Sequence, residues 1–248
     1  MKHLKFLVAL CCMLAVFAAC EKNEPSDNTN GNGINTDQNG GNSNTDNSSG
    51  SVSAPTGTEN GHGYVDLGLP SGTKWATCNV GATKPEEYGD DFAWGETEPK
   101  TTYDWSTYKW CNGSESTLTK YCDWASYGKD SFTDDKTVLE PEDDAAAVNW
   151  GGAWRMPTNA ECQELIDNCT WTWTSNYNGT GVAGQIVTSK TNGNHIFLPS
   201  GGYVGVYWSS SLLATYPNRA WLVYCDTDDV FMDACVCRCY GLSVRPVL

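Results

Sequence analysis

The sequence predicts an α+β domain in which two helices pack against a mixed or mainly antiparallel set of short strands. Two stretches carry helix signals, at residues 141–150 and from Thr158 onward. The second half of the chain contains short apolar runs separated by Gly, Asn and Asp, which is typical of strands and turns. The chain has 11 Trp residues, and this content indicates an aromatic core or a recognition surface.

The first predicted helix spans residues 141–150, with acidic residues 142–144 in its first turn, where the helix dipole favours anions. Gly151 follows it and is a common helix terminator. The second predicted helix begins at Thr158, because Thr158 and Glu161 have the spacing of a capping box. Its apolar stripe consists of Cys162, Leu165, Ile166 and Cys169.

The strands are predicted from short apolar or alternating runs that end at turn residues. A strand, a Pro70-Ser71-Gly72 turn and a second strand open the domain within residues 64–76. Residues 226–229 are acidic and predict a hairpin turn. Residues 97–136 predict a long irregular region packed by Trp105, Trp110 and Trp124. The remaining strands are expected at residues 170–174, 184–189, 195–198, 203–208, 220–225 and 230–239.

The N-terminus has the pattern of a lipoprotein signal peptide over residues 1–19. Its apolar run is too short to span a bilayer, and small residues precede Cys20, the expected lipidation site. An ordinary secretory signal is the alternative. Residues 20–60 are rich in Asn, Gly, Ser and Thr, so we expect a lipid-anchored disordered tether; a tail without a role is the alternative. The folded domain is expected at residues 61–248.

Charge and composition narrow the possible functions. The net charge is -15, which argues against nucleic acid as a partner. Only three His residues are present, too few for most catalytic or metal sites built on His. We therefore expect no catalytic residues, no metal and no cofactor.

Seven motifs occur along the chain in a fixed order: residues 65–73, 75–81, 93–97, 150–152, 154–158, 207–211 and 243–246. From about Gly63 to the end, the chain resembles the Fibrobacter succinogenes major paralogous domain, which is common on Bacteroidetes lipoproteins. The resemblance implies a C-type-lectin-like domain of the formylglycine-generating-enzyme-like branch, with two helices, a twisted, mainly antiparallel sheet and long loops. The residues expected to form its rigid scaffold are Trp154, Arg155, Trp208, Ser209, Trp221 and Arg245. The family usually has an aromatic residue where this chain has Cys162, and we expect Cys162 to face the core.

The C-terminal region, about residues 203–248, contains no Lys, Glu or Gln, whereas residues 60–201 contain many Lys and Glu. In some members of this fold, a retroelement diversifies the C-terminal segment by mutating template adenines. Randomised Asn codons then never encode Lys, Glu, Gln, Met or Trp. An ordinary strand region, normally poor in Lys and Glu, is the alternative. The residues expected to bind ligand are Leu212, Leu213, Ala214, Tyr216, Arg219, Leu222, Cys225, Thr227, Asp229, Phe231, Asp233, Ala234, Cys235, Val236, Cys237 and Cys239.

The sequence gives less support for a metal site or a catalytic site in this segment. The alternating Cys235, Cys237 and Cys239 lack the paired spacing of zinc sites, and the cysteine spacing of the formylglycine-generating enzyme is absent. We interpret these cysteines as arbitrary occupants of exposed positions. The nine Cys residues from Cys78 onward form an odd set, so at least one thiol should be unpaired. The acidic residues 226–229 suit calcium, but a solvated hairpin tip is the simpler interpretation.

The sequence thus predicts an outer-membrane lipoprotein, exposed on the cell surface and held to the membrane by its N-terminal lipid. Its partner would be an unknown protein or glycan on another cell, a phage or a host. The alternatives are a structural or adhesin lipoprotein of the envelope and a glycan-processing or formylglycine-generating-enzyme-like enzyme.

Overall fold

The computed structural model describes residues 54–248, and the predicted signal peptide, Cys20 and most of the predicted tether lie outside this range. The described chain is α+β, with three open sheets and two α-helices. Within residues 54–248, no helix is long and apolar enough to cross a membrane.

The first sheet is antiparallel and has the order β1-β2-β3. Its strands are β1 (Gly57–Glu59), β2 (His62–Asp66) and β3 (Lys74–Ala76). Strands β2 and β3 were expected around the Pro70-Ser71-Gly72 turn, but β1 lies within the predicted tether. Strand β1 contains no large apolar residue; instead it is fixed by pairing with β2 across a turn at Asn60 and Gly61, both of which have positive φ.

The second sheet has the order β10-β9-β8-β11-β4. Its strands are β4 (Asp91–Phe92), β8 (Gly205–Leu212), β9 (Ala220–Cys225), β10 (Val230–Asp233) and β11 (Leu242–Ser243). The pairs β8–β9, β9–β10 and β4–β11 are antiparallel, whereas β11 runs parallel to β8. The third sheet is antiparallel, with the order β5 (Cys169–Thr174), β6 (Gly184–Ser189) and β7 (His195–Pro199).

Helix α1 (Ala145–Trp150) is shorter than predicted. Asp144 has extended backbone angles and caps α1 by accepting hydrogen bonds from the amides of Ala146 and Ala147. The preceding residues, Pro141–Asp143, form a separate 3-10 turn. Helix α2 (Asn159–Asn168) begins after Thr158 with the complete capping box to Glu161, which confirms that prediction.

Strand β10 ends at Asp233, so the predicted strand over residues 230–239 is wrong in its second half. The Asp233 carboxylate accepts hydrogen bonds from the amides of Ala234 and Cys235 and turns the chain there. Residues 234–241 then follow an irregular path, on which the amide of Arg238 donates to the carbonyl of Asn218. Residues 231–239 therefore do not alternate between two strand faces as expected.

Two apolar clusters of the described chain belong to its core. The larger contains Leu165 and Cys162 of α2, together with Val187, Val223 and other strand residues, and Cys162 is 1% exposed, as expected. The smaller lies in the irregular region, where Trp105 and Trp110 pack against Leu118 and its neighbours. Trp124 was also expected to pack there, but it is 48% exposed.

The buried side chain of Arg245 connects all three sheets. It follows β11, and its Nη1 and Nη2 donate to the carbonyl oxygens of Ala76 in β3, at 3.0 Å, and Phe197 in β7, at 2.9 Å. Its Nε donates to Asn79 Oδ1 at 2.8 Å. All five donors of a guanidinium lie in one plane, so this one group fixes the positions of three separate chain segments.

Replacing Arg245 with Met should therefore lower the free energy of unfolding by about 3 kcal/mol or more, because three buried acceptors lose their donors. Urea denaturation would measure the change. Lys84→Met, which removes an exposed positive charge, is the control and should change stability by less than about 0.5 kcal/mol. Equal losses in the two variants would contradict the linking role of Arg245.

Candidate functional site

The predicted ligand-binding residues fall into a buried set and a set that reaches the surface. Leu222 and Cys225 are completely buried, and the Cys225 thiol donates to the carbonyl of Gly205. The expectation that these positions are exposed is wrong for this set, because the side chains pack inside the domain. The buried set is Leu212, Leu222, Cys225, Asp233, Val236 and Cys239.

The other predicted residues lie mainly at two opposite ends of the β8–β9–β10 strands. Thr227 and Asp229 lie in the hairpin turn between β9 and β10. Leu213, Ala214, Tyr216 and Arg219 lie in the loop between β8 and β9, and Ala234, Cys235 and Cys237 follow β10. Arg219 and Cys237 form an isolated antiparallel bridge, which brings these two segments together. Phe231 lies between the ends and stacks on Tyr224, with ring centroids 4.9 Å apart.

The β8–β9 loop also contacts the irregular region. The amide of Thr215 donates to Asp123 Oδ2 at 3.0 Å, and Asn218 Nδ2 donates to Glu115 Oε2 at 2.8 Å. Thr215 has a φ of 74°, which is strained for a β-branched residue. The hydrogen bond to Asp123 therefore helps to hold the loop in an unfavourable conformation.

Two half-exposed aromatic side chains meet at this contact. Tyr216 is 51% exposed and Trp124 is 48% exposed. Their ring centroids are 6.4 Å apart and the rings are inclined at 60°. We call the surface formed by residues 213–219, 234–237 and 123–127 the loop surface. Sequence reasoning assigned Trp124 to the core, because nothing in an aperiodic segment distinguishes an exposed Trp from a buried one.

The loop surface holds polar atoms without partners. Asp123 Oδ1, Asn218 Oδ1 and Arg219 Nε are shielded from solvent and make no hydrogen bond within the described chain. Asn218 as a whole is 5% exposed. Each buried polar atom left unpaired costs about 1–3 kcal/mol. These three atoms therefore favour a ligand or water that supplies the missing bonds.

The nine cysteines of the described chain are all free thiols. This agrees with the expectation that at least one is unpaired, but the interpretation that Cys235, Cys237 and Cys239 fill exposed positions is wrong for Cys239, which is buried, as is Cys225. Burial raises the pKa of both thiols to about 12. Burial, and then the hydrogen bond to Asp233, raises the pKa of Cys235 to about 12. Such thiols are protonated at neutral pH and are weak nucleophiles and weak metal ligands.

Hydrogen bonds within the acidic turn between β9 and β10 hold its shape, as expected of a hairpin tip. Asp226 Oδ1 accepts hydrogen bonds from the amides of Asp228 and Asp229, both at 2.8 Å, and Oδ2 accepts from the Tyr224 hydroxyl. Within residues 54–248, no group of three or more His, Cys, Asp or Glu side chains is placed to hold a metal ion.

The predicted scaffold residues make contacts between segments. Trp208 Nε1 donates to the carbonyl of Phe92, while Trp94 Nε1 donates to the carbonyl of Ser209, each at 2.8 Å. These reciprocal bonds fasten β8 to β4 and the residues after it. The Ser209 hydroxyl donates to the carbonyl of Trp221 in β9, and Trp154 Nε1 donates to the carbonyl of Glu59 in β1.

Arg155, the remaining scaffold residue, pairs with Glu161 at 2.5 and 2.7 Å. Glu161 also accepts hydrogen bonds from Thr158 and from the Thr73 hydroxyl. Burial alone would raise the pKa of Glu161, but the bonds from Arg155 and Thr158 outweigh it and lower the pKa to about 2. This carboxylate joins the start of α2 to Thr73, the residue that precedes β3.

A cleft of about 350 Å³ lies beside α1 and β8, and none of the residues that line it is a predicted ligand-binding residue. Its walls include Val138, Leu139 and Met156. Its charged residues are already engaged, because Asp144 accepts three backbone hydrogen bonds and Arg155 pairs with Glu161. The cleft therefore has few groups left to orient a ligand.

Comparison with known protein families, with characterised proteins and with solved structures gives no match to this chain. The resemblance to the Fibrobacter succinogenes major paralogous domain therefore stays a prediction that rests on the seven motifs.

The lowered pKa of Glu161 predicts a pH-dependent contribution to stability. The folded pKa lies below the value of about 4.5 of a free carboxyl, so the contribution is present above that value and is lost as the pH falls towards about 2. Glu161→Gln should cost about 1–2 kcal/mol at pH 7, after allowance for solvent screening.

Urea denaturation of Glu161→Gln at pH 7, 4 and 3 would measure this effect. The difference from the wild type should shrink as the pH falls. Glu98→Gln, at an exposed position, is the control. A difference that does not change with pH would show that packing, not charge, is responsible.

Proposed function

We propose that this chain is a lipoprotein of the outer membrane that is exposed on the cell surface and binds an external protein or glycan. Its N-terminal lipid on Cys20 would hold it to the membrane, and the predicted tether would separate the domain from the lipid. The observation that carries the proposal is the loop surface, where two half-exposed aromatic rings lie beside polar atoms that lack partners.

We also propose that the domain is C-type-lectin-like and belongs to the formylglycine-generating-enzyme-like branch. The two helices, the capping box after the Trp154-Arg155-Met156-Pro157 motif and the mainly antiparallel sheet are consistent with that fold. Several expected scaffold residues, among them Trp208 and Arg245, join separate segments through buried hydrogen bonds. Binding residues of such a domain would be carried on loops that a rigid scaffold positions.

The composition of the loop surface suits recognition. Trp, Tyr and Arg are the residue types that most often dominate binding energy, and Trp124, Tyr216 and Arg219 bring all three types to this surface. Backbone hydrogen bonds within the loop hold its shape. The amide of Arg219 donates to the carbonyl of Tyr216, and the amide of Leu213 donates to the carbonyl of Arg219. A loop ordered before binding loses less entropy when the ligand arrives.

Retroelement diversification belongs to the proposal only at positions that reach the surface. A buried position such as Leu222 tolerates few residue types, because a poor fit in the core costs about 2–5 kcal/mol. Random substitution at the buried set would therefore unfold most variants.

This restriction makes a genomic prediction. A template copy of the terminal coding segment should carry adenines at the codons of Leu213, Ala214, Tyr216 and Arg219 and should match the gene at those of Leu222 and Cys225. Sequencing the flanking region for this copy and for a reverse transcriptase gene is the test. A template with adenines mainly at the buried codons, or no template, would remove diversification and leave the binding proposal standing.

The binding proposal is tested on bacteria that express the full chain. Mixing them with bacterial cells, phage particles or epithelial cells should give saturable attachment to at least one target, measured by flow cytometry. Tyr216→Ala and Arg219→Ala should each weaken attachment at least about tenfold, which corresponds to a hot-spot loss of more than about 1.4 kcal/mol.

Tyr203→Ala is the matched control, because Tyr203 is 79% exposed but lies outside the loop surface. Cys20→Ser should release the chain from the cells and abolish attachment. An antibody to the domain would confirm equal surface amounts of the other variants. Attachment that Tyr216→Ala and Arg219→Ala leave unchanged would contradict the proposed site, and one constant partner bound independently of these residues would favour a structural envelope subunit.

A further inference from the structure

We propose that the ligand of the loop surface is a neutral glycan, held in the corner between Trp124 and Tyr216 and hydrogen-bonded by Asp123, Asn218 and Arg219. This inference rests on the proposed function and names the chemical class of its ligand.

The two rings form a preformed apolar corner. They come from segments far apart in sequence, their centroids are 6.4 Å apart and their planes are inclined at 60°. The Thr215 amide holds the loop of Tyr216 to Asp123, the residue next to Trp124. A pyranose ring presents polarised C–H groups on one face, and the negative face of an aromatic ring attracts such groups.

The three unpartnered atoms need a ligand whose groups both donate and accept hydrogen bonds. Asp123 Oδ1 and Asn218 Oδ1 need donors, whereas Arg219 Nε needs an acceptor. A hydroxyl group does both, so the hydroxyls of a sugar can supply the donors and the acceptor that these atoms lack. These side-chain atoms are shielded in the described structure, so the side chains must turn towards the ligand while the loop backbone and the two rings stay in place. The missing bonds reduce the cost of that turn.

Size and charge favour a neutral glycan over other ligands. The loop surface has fewer residues than the roughly 20–30 per side of a standard protein interface. Asp123 and Glu115 lie at the site, and the chain has a net charge of -15. Acidic glycans and phosphate-bearing ligands would be repelled by this field.

Affinity electrophoresis of the full chain in mild detergent tests the inference. The gels would contain dissolved mannan, xylan, galactan or β-glucan as neutral probes, and polygalacturonate or chondroitin sulfate as acidic probes. At least one neutral polysaccharide should retard the wild type, and the acidic ones should not. Trp124→Ala and Asn218→Ala should weaken the retardation at least tenfold, Trp124→Phe should keep most of it, and Tyr203→Ala should keep all of it.

Thermal unfolding would confirm that each variant is folded. If Asn218→Ala does not fold, Trp124→Ala still tests the inference, because Trp124 is partly exposed. The inference is overturned if no neutral polysaccharide retards the wild type, if acidic ones retard it more, or if Trp124→Ala has no effect.

The cell assay separates this failure from failure of the proposed function. Periodate treatment of the target cells destroys glycan diols, and protease treatment removes surface proteins. Attachment that needs Tyr216, survives periodate and is lost to protease would overturn the glycan and keep the binding site. Attachment that does not need Tyr216 would contradict the proposed site, and no saturable attachment to any target would overturn the proposed function itself.

Discussion

The buried guanidinium of Arg245 is the constraint on which the relation among the three sheets depends. It leaves β11 and bonds to a backbone carbonyl in each of the two other sheets, as well as to Asn79. Burying a charge is expensive unless each of its donors is matched. This cost favours the observed arrangement of the sheets, because moving these acceptors away would leave the buried guanidinium without its hydrogen bonds.

Strand β8, which leads into the loop surface, is also fixed by hydrogen bonds to other segments. The indoles of Trp94 and Trp208 exchange hydrogen bonds between the β4 region and β8, and Ser209 bonds onward to β9. Strands β8 and β9 are therefore fixed on both sides before they reach the loop between them. A strained Thr215 and three unpartnered polar atoms persist at the end of such strands, since the surrounding bonds stabilise a conformation that the loop would not keep alone.

Local signals predicted several helices and strands correctly, whereas features that depend on tertiary contacts were missed. The capping box at Thr158 and the strands at residues 184–189 and 220–225 depend on neighbouring residues, and they were predicted correctly. The end of β10 depends on how the Asp233 carboxylate turns the chain, and α1 was shortened by the cap at Asp144. The exposure of Trp124 depends on what a long aperiodic segment packs against, which no pattern in the sequence reports.

Burial also gives a second physical cause for the composition of the C-terminal region. Lys, Glu and Gln are among the residues least often buried, and much of residues 205–248 is buried. Their absence there follows from packing as readily as from mutation of a template. Only positions that reach the surface, such as Ala214 and Tyr216, are free of the packing constraint, so a replaceable binding surface would consist of them.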